Sequence, residues 1–238
     1  MKVRYCVVTL NQVDWLVDHH LTSLDTSAIA GLHLHFSEVE RQQYHKESFN
    51  TPLDIVMLNQ WLQRTQVQWT IAASLDNFGV SCAWNQFVRD AKRDGYDAVI
   101  IANDDITLYA GTVPAMVAAL AEGNKFVYAK TSEAEFTLFG LRCDLVDEIG
   151  PFDEKFWPAY FEDNDFWYRM QLAGITPHPV VCQGYFHAKS ATLGKFGLER
   201  KLMHFHNFDK NEQYYIEKWG GLPHAEQYTQ PFNAQVSR

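Results

Sequence analysis

The stretch "YDAVIIANDDI", residues 96–106, decides the fold. Residues 98–102 are an apolar run rich in β-branched side chains, which marks a central strand. The run stops at Asn103, Asp104 and Asp105. The preceding "GVSCAWNQFVRDAKRDG", residues 79–95, has helical spacing, and the following "TVPAMVAALAEG" reads as a helix closed by Gly123. Helix, strand and helix in succession imply an open, mostly parallel α/β sheet. In such sheets ligands sit at the carboxyl ends of the strands, which is where the Asn-Asp-Asp triplet falls.

Working outward, "VRYCVVTL" reads as a buried first strand and "DWLVDHHLTSL" as a helix. "LHLHF" alternates like a half-exposed strand, "PLDIVMLNQWLQR" is helical from Pro52, and "VQWTIAA" reads as a buried strand. Towards the C-terminus, "KFVYAK" and "FTLFGLR" read as strands, and "CDLVDEIG" as a short helix ended by Gly150. After His187 the chain turns basic and Gly-containing, and a C-terminal helix is expected over about 199–218.

The 238 residues suit one α/β domain with a large core, or one domain plus a short appendage. Composition is that of a globular protein, 47% hydrophobic and 21% charged. A formal net charge of −9 disfavours general nucleic-acid binding, which needs Lys and Arg against phosphate. Cys6, Cys82, Cys143 and Cys182 are far apart with no C-x-x-C pair. That argues against a zinc site or disulfide framework and suits the reducing cytoplasm, the expected location. No apolar run has the length of a membrane span.

Four pieces carry chemistry. Asn103 and Asp105, two apart in an extended segment, share a face and suit a hard divalent cation. The triplet equally fits an Asx turn capping the next helix. "DNFGVSCAWN" allows a tight turn at Gly79 whose backbone N–H groups can meet a ligand. "AYFEDNDFWYRMQLAG", residues 159–174, sets Glu162, Asp163 and Asp165 among large rings. Asp163 can cap a helix starting at Asn164, and Asp165 sits four before Arg169. Neither reading accounts for Glu162. Finally, His187 in "GYFHAKSAT" follows a strand that can reach the same sheet end, as a metal ligand or as a packed histidine.

Together these pieces resemble the family 2 glycosyltransferases of the GT-A fold, over about Val3 to Thr192. The resembling elements are Thr9 and Asn11 after the first strand, and Asn77, Gly79 and Asn85 in the Asn-x-Gly turn and helix. "NDD" resembles the D-x-D motif in an N-x-D form. The most specific match is Gly150, Phe152, Asp153 and Glu154, then Glu162, Asp163 and Asp165, then Arg169 and Gly174. The family's Asp-rich turn after the second strand is replaced here by Ser37 and Glu38.

The resemblance implies a GT-A-like catalytic domain over 1–187, with an open mixed, mostly parallel sheet flanked by helices. Residues 188–238 would be a lid-like segment and a C-terminal helix and tail packed on the same domain. It implies a hexosyl- or pentosyltransferase using a UDP-, dTDP- or GDP-sugar. Thr9, Asn11, Asn77, Gly79, Asn85, Asn103 and Asp104 would bind the nucleotide sugar, and Asp105 with His187 would hold Mn2+ or Mg2+. Asp163 would be the general base of an inverting transfer, with Glu162 beside it. Trp157, Tyr160 and Phe161 would wall the sugar and acceptor, while Lys189, Ser190 and Lys195 would belong to the lid. The acceptor would be a glycan or another hydroxyl compound. A modified DNA base is an alternative acceptor through the basic stretch at 189–201. A sugar nucleotidyltransferase lacks its Gly-rich basic loop here, and a carbohydrate-binding protein leaves the acidic motifs unexplained.

Overall fold

The computed structural model describes residues 1–10, 13–37, 52–188 and 198–233. Strands β1 (Val3–Thr9), β2 (Gly31–Phe36), β3 (Gln68–Ala73) and β4 (Ala98–Asn103) are joined by helices α1, α2 and α3. Of these, α1 is Val13–Trp15 continuing into a π-helical turn, Leu16–Leu21; α2 is Pro52–Arg64 and α3 is Val80–Arg93. The chain continues through β5 (Ile106–Leu108), α4 (Thr112–Ala121), β6 (Phe126–Ala129), β7 (Leu138–Arg142) and α5 (Leu145–Ile149). It ends with α6 (Glu162–Leu172), β8 (His178–Val180), β9 (Tyr185–His187) and a C-terminal helix, Leu198–Trp219.

Among the described residues seven strands form one sheet in the order β3-β2-β1-β4-β7-β6-β8. Of these, only β7 runs antiparallel to its neighbours, so the sheet is mixed but mostly parallel. Alternate residues of β4 divide between the two cores, as the strand period of two requires. Ala98, Ile100 and Ala102 join α1, α2 and α4 through Leu16, Leu58 and Met116. Val99 and Ile101 join α3 and α6 through Phe87, Phe166 and Met170. The C-terminal helix adds a third cluster, in which Tyr215 and Trp219 pack with Phe156 and Phe161. No described helix is long and apolar enough to cross a membrane.

Two strand expectations are corrected. β2 is buried rather than half-exposed, because β1 and β3 flank it. Its histidines are accommodated by hydrogen bonds, His33 Nδ1 with Thr70 Oγ1 at 2.9 Å and His35 Nε2 with Ser74 Oγ at 3.2 Å. β3 is an edge strand among the described residues, and its Trp69 and Ile71 are exposed. A third difference concerns α6, which starts at Glu162 rather than Asn164. Tyr160 and Phe161 precede it with φ of 79° and 71°, a conformation costly for bulky residues, and this turns the chain sharply into the helix.

Candidate active site at the carboxyl ends of β1 and β4

β1 and β4 run side by side with Val8 opposite Asn103, so Thr9 and the Asn-Asp-Asp turn emerge together. Asp104 turns inward, where its carboxyl takes hydrogen bonds from the Thr9 hydroxyl and the Leu10 amide. Burial lifts its pKa to about 7 against those bonds, and the nearby Asp105 charge adds to the lift. Asp104 therefore ties the two strand ends together. Beneath the turn lies His20, fully buried on the π-helical segment, with Nε2 2.9 Å from the Tyr5 hydroxyl. Burial lowers its pKa to about 4, so it is neutral at pH 7.

Asp105 faces the other way. β5 and β9 pair with Ile106 opposite His187, which brings the His187 Nε2 to 3.1 Å from Asp105 Oδ1. The Ala188 N–H donates to the Asp105 carbonyl at 3.0 Å and fixes the register. His187 Nδ1 lies 3.4 Å from Glu133 Oε2. The hydrogen bond to Asp105 raises the His187 pKa, burial opposes it, and Glu133 adds to the rise. A carboxylate on the second ring nitrogen is the usual means of orienting a metal-binding imidazole. Glu133 is absent from the sequence reading. Among the described residues, no group of three or more His, Cys, Asp or Glu side chains is arranged to hold a metal ion.

These groups open onto a cavity of about 430 Å³. Asn103, Asp104, Asp105 and His187 line it together with Glu162 and Asp163 from the start of α6. Asn77, Gly79, Tyr160 and Ser37 complete the expected residues found in its wall, and Phe136 and Thr137 join them from the turn before β7.

Glu162 is 5% exposed. Among the described residues its Oε2 has no hydrogen-bond partner. Burial drives its pKa well above the ordinary carboxylate range, and the Asp163 charge adds to this. Asp163 Oδ1 accepts the Asn164 N–H at 2.8 Å, and burial raises its pKa as well. By contrast, Asp165 is fully buried and engaged. It accepts from Arg169 Nε at 2.9 Å, Lys218 Nζ at 2.6 Å and Trp219 Nε1 at 2.9 Å.

The loop before α6 is held from two sides. Asn211 Nδ2 on the C-terminal helix donates to the carbonyls of Trp157, Ala159 and Tyr160, at 3.3, 2.9 and 3.2 Å. On the other side, the Trp157 Nε1 donates to the Asn77 carbonyl at 2.8 Å and the Val80 N–H to the Pro158 carbonyl at 2.9 Å. Gly79, at φ 85°, fits under this loop, where a Cβ would lie 3.0 Å from the Pro158 oxygen. Its own N–H donates to Asn77 Oδ1 at 2.9 Å. The amides of Gly79 and Val80 are thus used inside the protein.

Four expected residues stand outside the cavity wall, and Thr9 among them gives its hydroxyl to the Asp104 carboxyl. Asn85 is 2% exposed and clamps the Phe152 backbone through both its amide atoms, with a further bond to Glu154 Oε1. It joins α3 to the Phe-Asp-Glu run instead of facing a ligand. Phe161 packs into the C-terminal helix against Phe208 and Tyr215. Trp157, 39% exposed, covers the Asn77–Gly79 turn from outside. Asn11, Glu38, Lys189, Ser190 and Lys195 lie outside the described residues.

No family model matches the chain. A galactofuranosyl glycosyltransferase of Leishmania donovani is 30% identical over 102 residues, 42% of this chain and 21% of that protein. Among solved structures, a mannosyltransferase from Pyrobaculum calidifontis in complex with GDP-Man and Mn2+ superposes with a TM-score of 0.60 at 14% identity. That superposition covers 88% of this chain and 63% of the other. TarS of S. aureus superposes with a TM-score of 0.59 at 11% identity, covering 89% and 43%. The chain therefore spans about a fifth of the curated relative and less than two thirds of each solved neighbour. Strand order, mixed pairing and these superpositions agree that the chain has the GT-A fold, the architecture of nucleotide-diphospho-sugar transferases.

Proposed function

We propose that this chain is a glycosyltransferase that moves a hexosyl or pentosyl unit from a nucleotide-diphosphate sugar to an acceptor hydroxyl, with inversion. The observation that carries this reading is one cavity lined by both the Asp105–His187 pair and the Glu162–Asp163 pair. The first suits a diphosphate with a cation, and the second suits proton removal. The solved neighbour that holds GDP-Man and Mn2+ supports a nucleotide sugar and a divalent cation, as does the curated galactofuranosyl relative for the reaction class.

In this reading Asp163 takes the acceptor proton as the acceptor oxygen bonds to the anomeric carbon. The bond from that carbon to the diphosphate oxygen breaks on the opposite face, and the diphosphate leaves with the electron pair. Such base assistance is typically worth about two to four orders of magnitude in rate. Glu162, beside it and driven towards the protonated form, has its Oε2 unpartnered among the described residues and so available to an acceptor hydroxyl, and it leaves Asp163 as the ionised member of the pair.

The donor set fits Mn2+ or Mg2+. Asp105 would hold the cation through a carboxylate oxygen and His187 through an imidazole nitrogen oriented by Glu133. When bound, the cation neutralises charge on the leaving diphosphate.

Thermal shift with UDP-, dTDP- and GDP-sugars, with and without Mn2+, tests the reading. A metal-dependent rise in midpoint with one nucleotide series, accompanied by slow donor hydrolysis, is expected. No shift with any series contradicts it.

A further inference from the structure

The core between the sheet and helices α1, α2 and α4 stops abruptly at β3. Two rows of side chains cross the sheet through its paired strands. One runs Ile100, Tyr5, Leu32, Trp69, and the other runs Ala102, Val7, Leu34, Ile71. The first three members of each row are at most 2% exposed, whereas Trp69 and Ile71 are 44% and 43% exposed. Among the described residues β3 has a neighbouring strand, β2, on one side only.

This edge carries none of the devices that keep sheet edges from pairing. Natural edges are blunted by lysine, inward-pointing charge, proline or a bulge. The run 67–75, "VQWTIAASL", contains no charged residue, no proline and no glycine. β3 pairs with β2 without interruption from Gln68 to Ala73, so no bulge turns the edge away. In a chain of net charge −9, an uncharged run is also where two copies approach with least repulsion.

The sequence of β3 is self-complementary. Antiparallel pairing about a two-fold axis at Thr70 sets Trp69 of each copy opposite Ile71 of the other. The same register sets Thr70 opposite Thr70 and Gln68 opposite Ala72. Aromatic with β-branched and Thr with Thr are favourable cross-strand pairs. Both Trp69–Ile71 pairs fall on the face whose rows are cut short, so each copy completes the rows of the other. The edge offers a foreign peptide no charged group to recognise, whereas this register satisfies two copies at once.

We propose that β3 is the interface of a two-fold symmetric dimer, in which the sheets of two copies of this chain join edge to edge through antiparallel β3 strands centred on Thr70. None of Gln68–Ala73 lines the large cavity, so each copy keeps its own site. The inference is independent of the glycosyltransferase reading.

Sedimentation velocity on the full chain, over about a hundredfold range of concentration, tests it. The wild type is expected to pass from monomer to dimer and no further, because a two-fold pair uses up both edges. Ile71→Lys sets a charge against Trp69 of the other copy and should weaken the dimer at least about tenfold, with the circular dichroism of the folded chain retained. Thr70→Cys tests the register. Opposed residues of an antiparallel pair have Cα atoms about 4.5–5.5 Å apart, within disulfide reach. Mild oxidation should therefore cross-link Thr70→Cys as a dimer, above the background that the native thiols give in the wild type. In Ala73→Cys the two new thiols stand about 20 Å apart in this register and should not cross-link. A monomer at every concentration, growth beyond the dimer, a dimer indifferent to Ile71→Lys, or equal cross-linking at 70 and 73 overturns the proposal. A monomer whose β3 amides resist hydrogen exchange places another segment of the same chain on the edge and overturns it too.

Discussion

The indole N–H of Trp219 donates to Asp165 Oδ1 at 2.9 Å in the protein interior. This bond joins the last turn of the C-terminal helix to the helix that carries Glu162 and Asp163. Lys218 strengthens the junction by bridging Asp165 Oδ1 and Asp153 Oδ2, at 2.6 and 2.7 Å. The acid nearest the middle of the aromatic run is thus a structural anchor.

Asp165→Ala leaves Arg169 and Lys218 without the carboxylate they share. Breaking a buried ion pair from one side typically costs about 3–5 kcal/mol. Urea unfolding should show a loss of that size. A loss close to that of a surface substitution would contradict the anchoring role.

Gly79→Ala tests the clamp on the site loop. The new Cβ meets the Pro158 carbonyl at 3.0 Å and Trp157 Cδ1 at 3.1 Å, at a φ of +85° that L-residues disfavour. A loss of about 1–3 kcal/mol is expected in urea unfolding. Because Pro158 leads to Tyr160 and α6, nucleotide-sugar turnover should fall as well.

Much of this framework is legible in the sequence. The run 98–102, with helices on both sides, identifies the central strand and therefore the site at its carboxyl end. Burial is less legible: "LHLHF" and "VQWTIAA" exchange their expected exposures, because lateral position in a sheet is set by strand order and not by local pattern. Within the site, motif spacing leads to Asp105, His187, Glu162 and Asp163. It misassigns Asn85, since an asparagine beside a backbone edge and one beside a ligand have the same local sequence. Glu133 carries no local signal at all. Only the folded chain brings Glu133 against His187, 54 positions away.

The Asp105–His187–Glu133 row predicts graded effects on metal. Asp105→Ala should abolish the metal-dependent part of nucleoside diphosphate binding in calorimetry. Glu133→Gln removes only the orienting carboxylate and should weaken metal affinity by about 10- to 100-fold. Equal affinities in wild type and Asp105→Ala would remove Asp105 from the metal site.

The pH dependence follows from the raised carboxyl groups at the start of α6. A base works only when ionised, so the acid limb of kcat/KM should lie above the ordinary aspartate range. Stability has the opposite sense. A carboxyl whose folded pKa exceeds its unfolded value contributes fully at low pH, and the contribution is lost as pH rises through the folded value. Glu162→Gln should therefore remove part of the wild-type fall in melting temperature towards alkaline pH. If the two proteins show the same alkaline slope, Glu162 is not held protonated.

The most direct measurement is turnover by Asp163→Asn alongside its nucleotide-sugar affinity. The substitution keeps the size of the side chain and the Asn164 N–H partner while removing the base. The expected result is a fall in kcat of about two to four orders of magnitude with donor affinity close to wild type. Near-normal turnover in the folded variant would contradict the account.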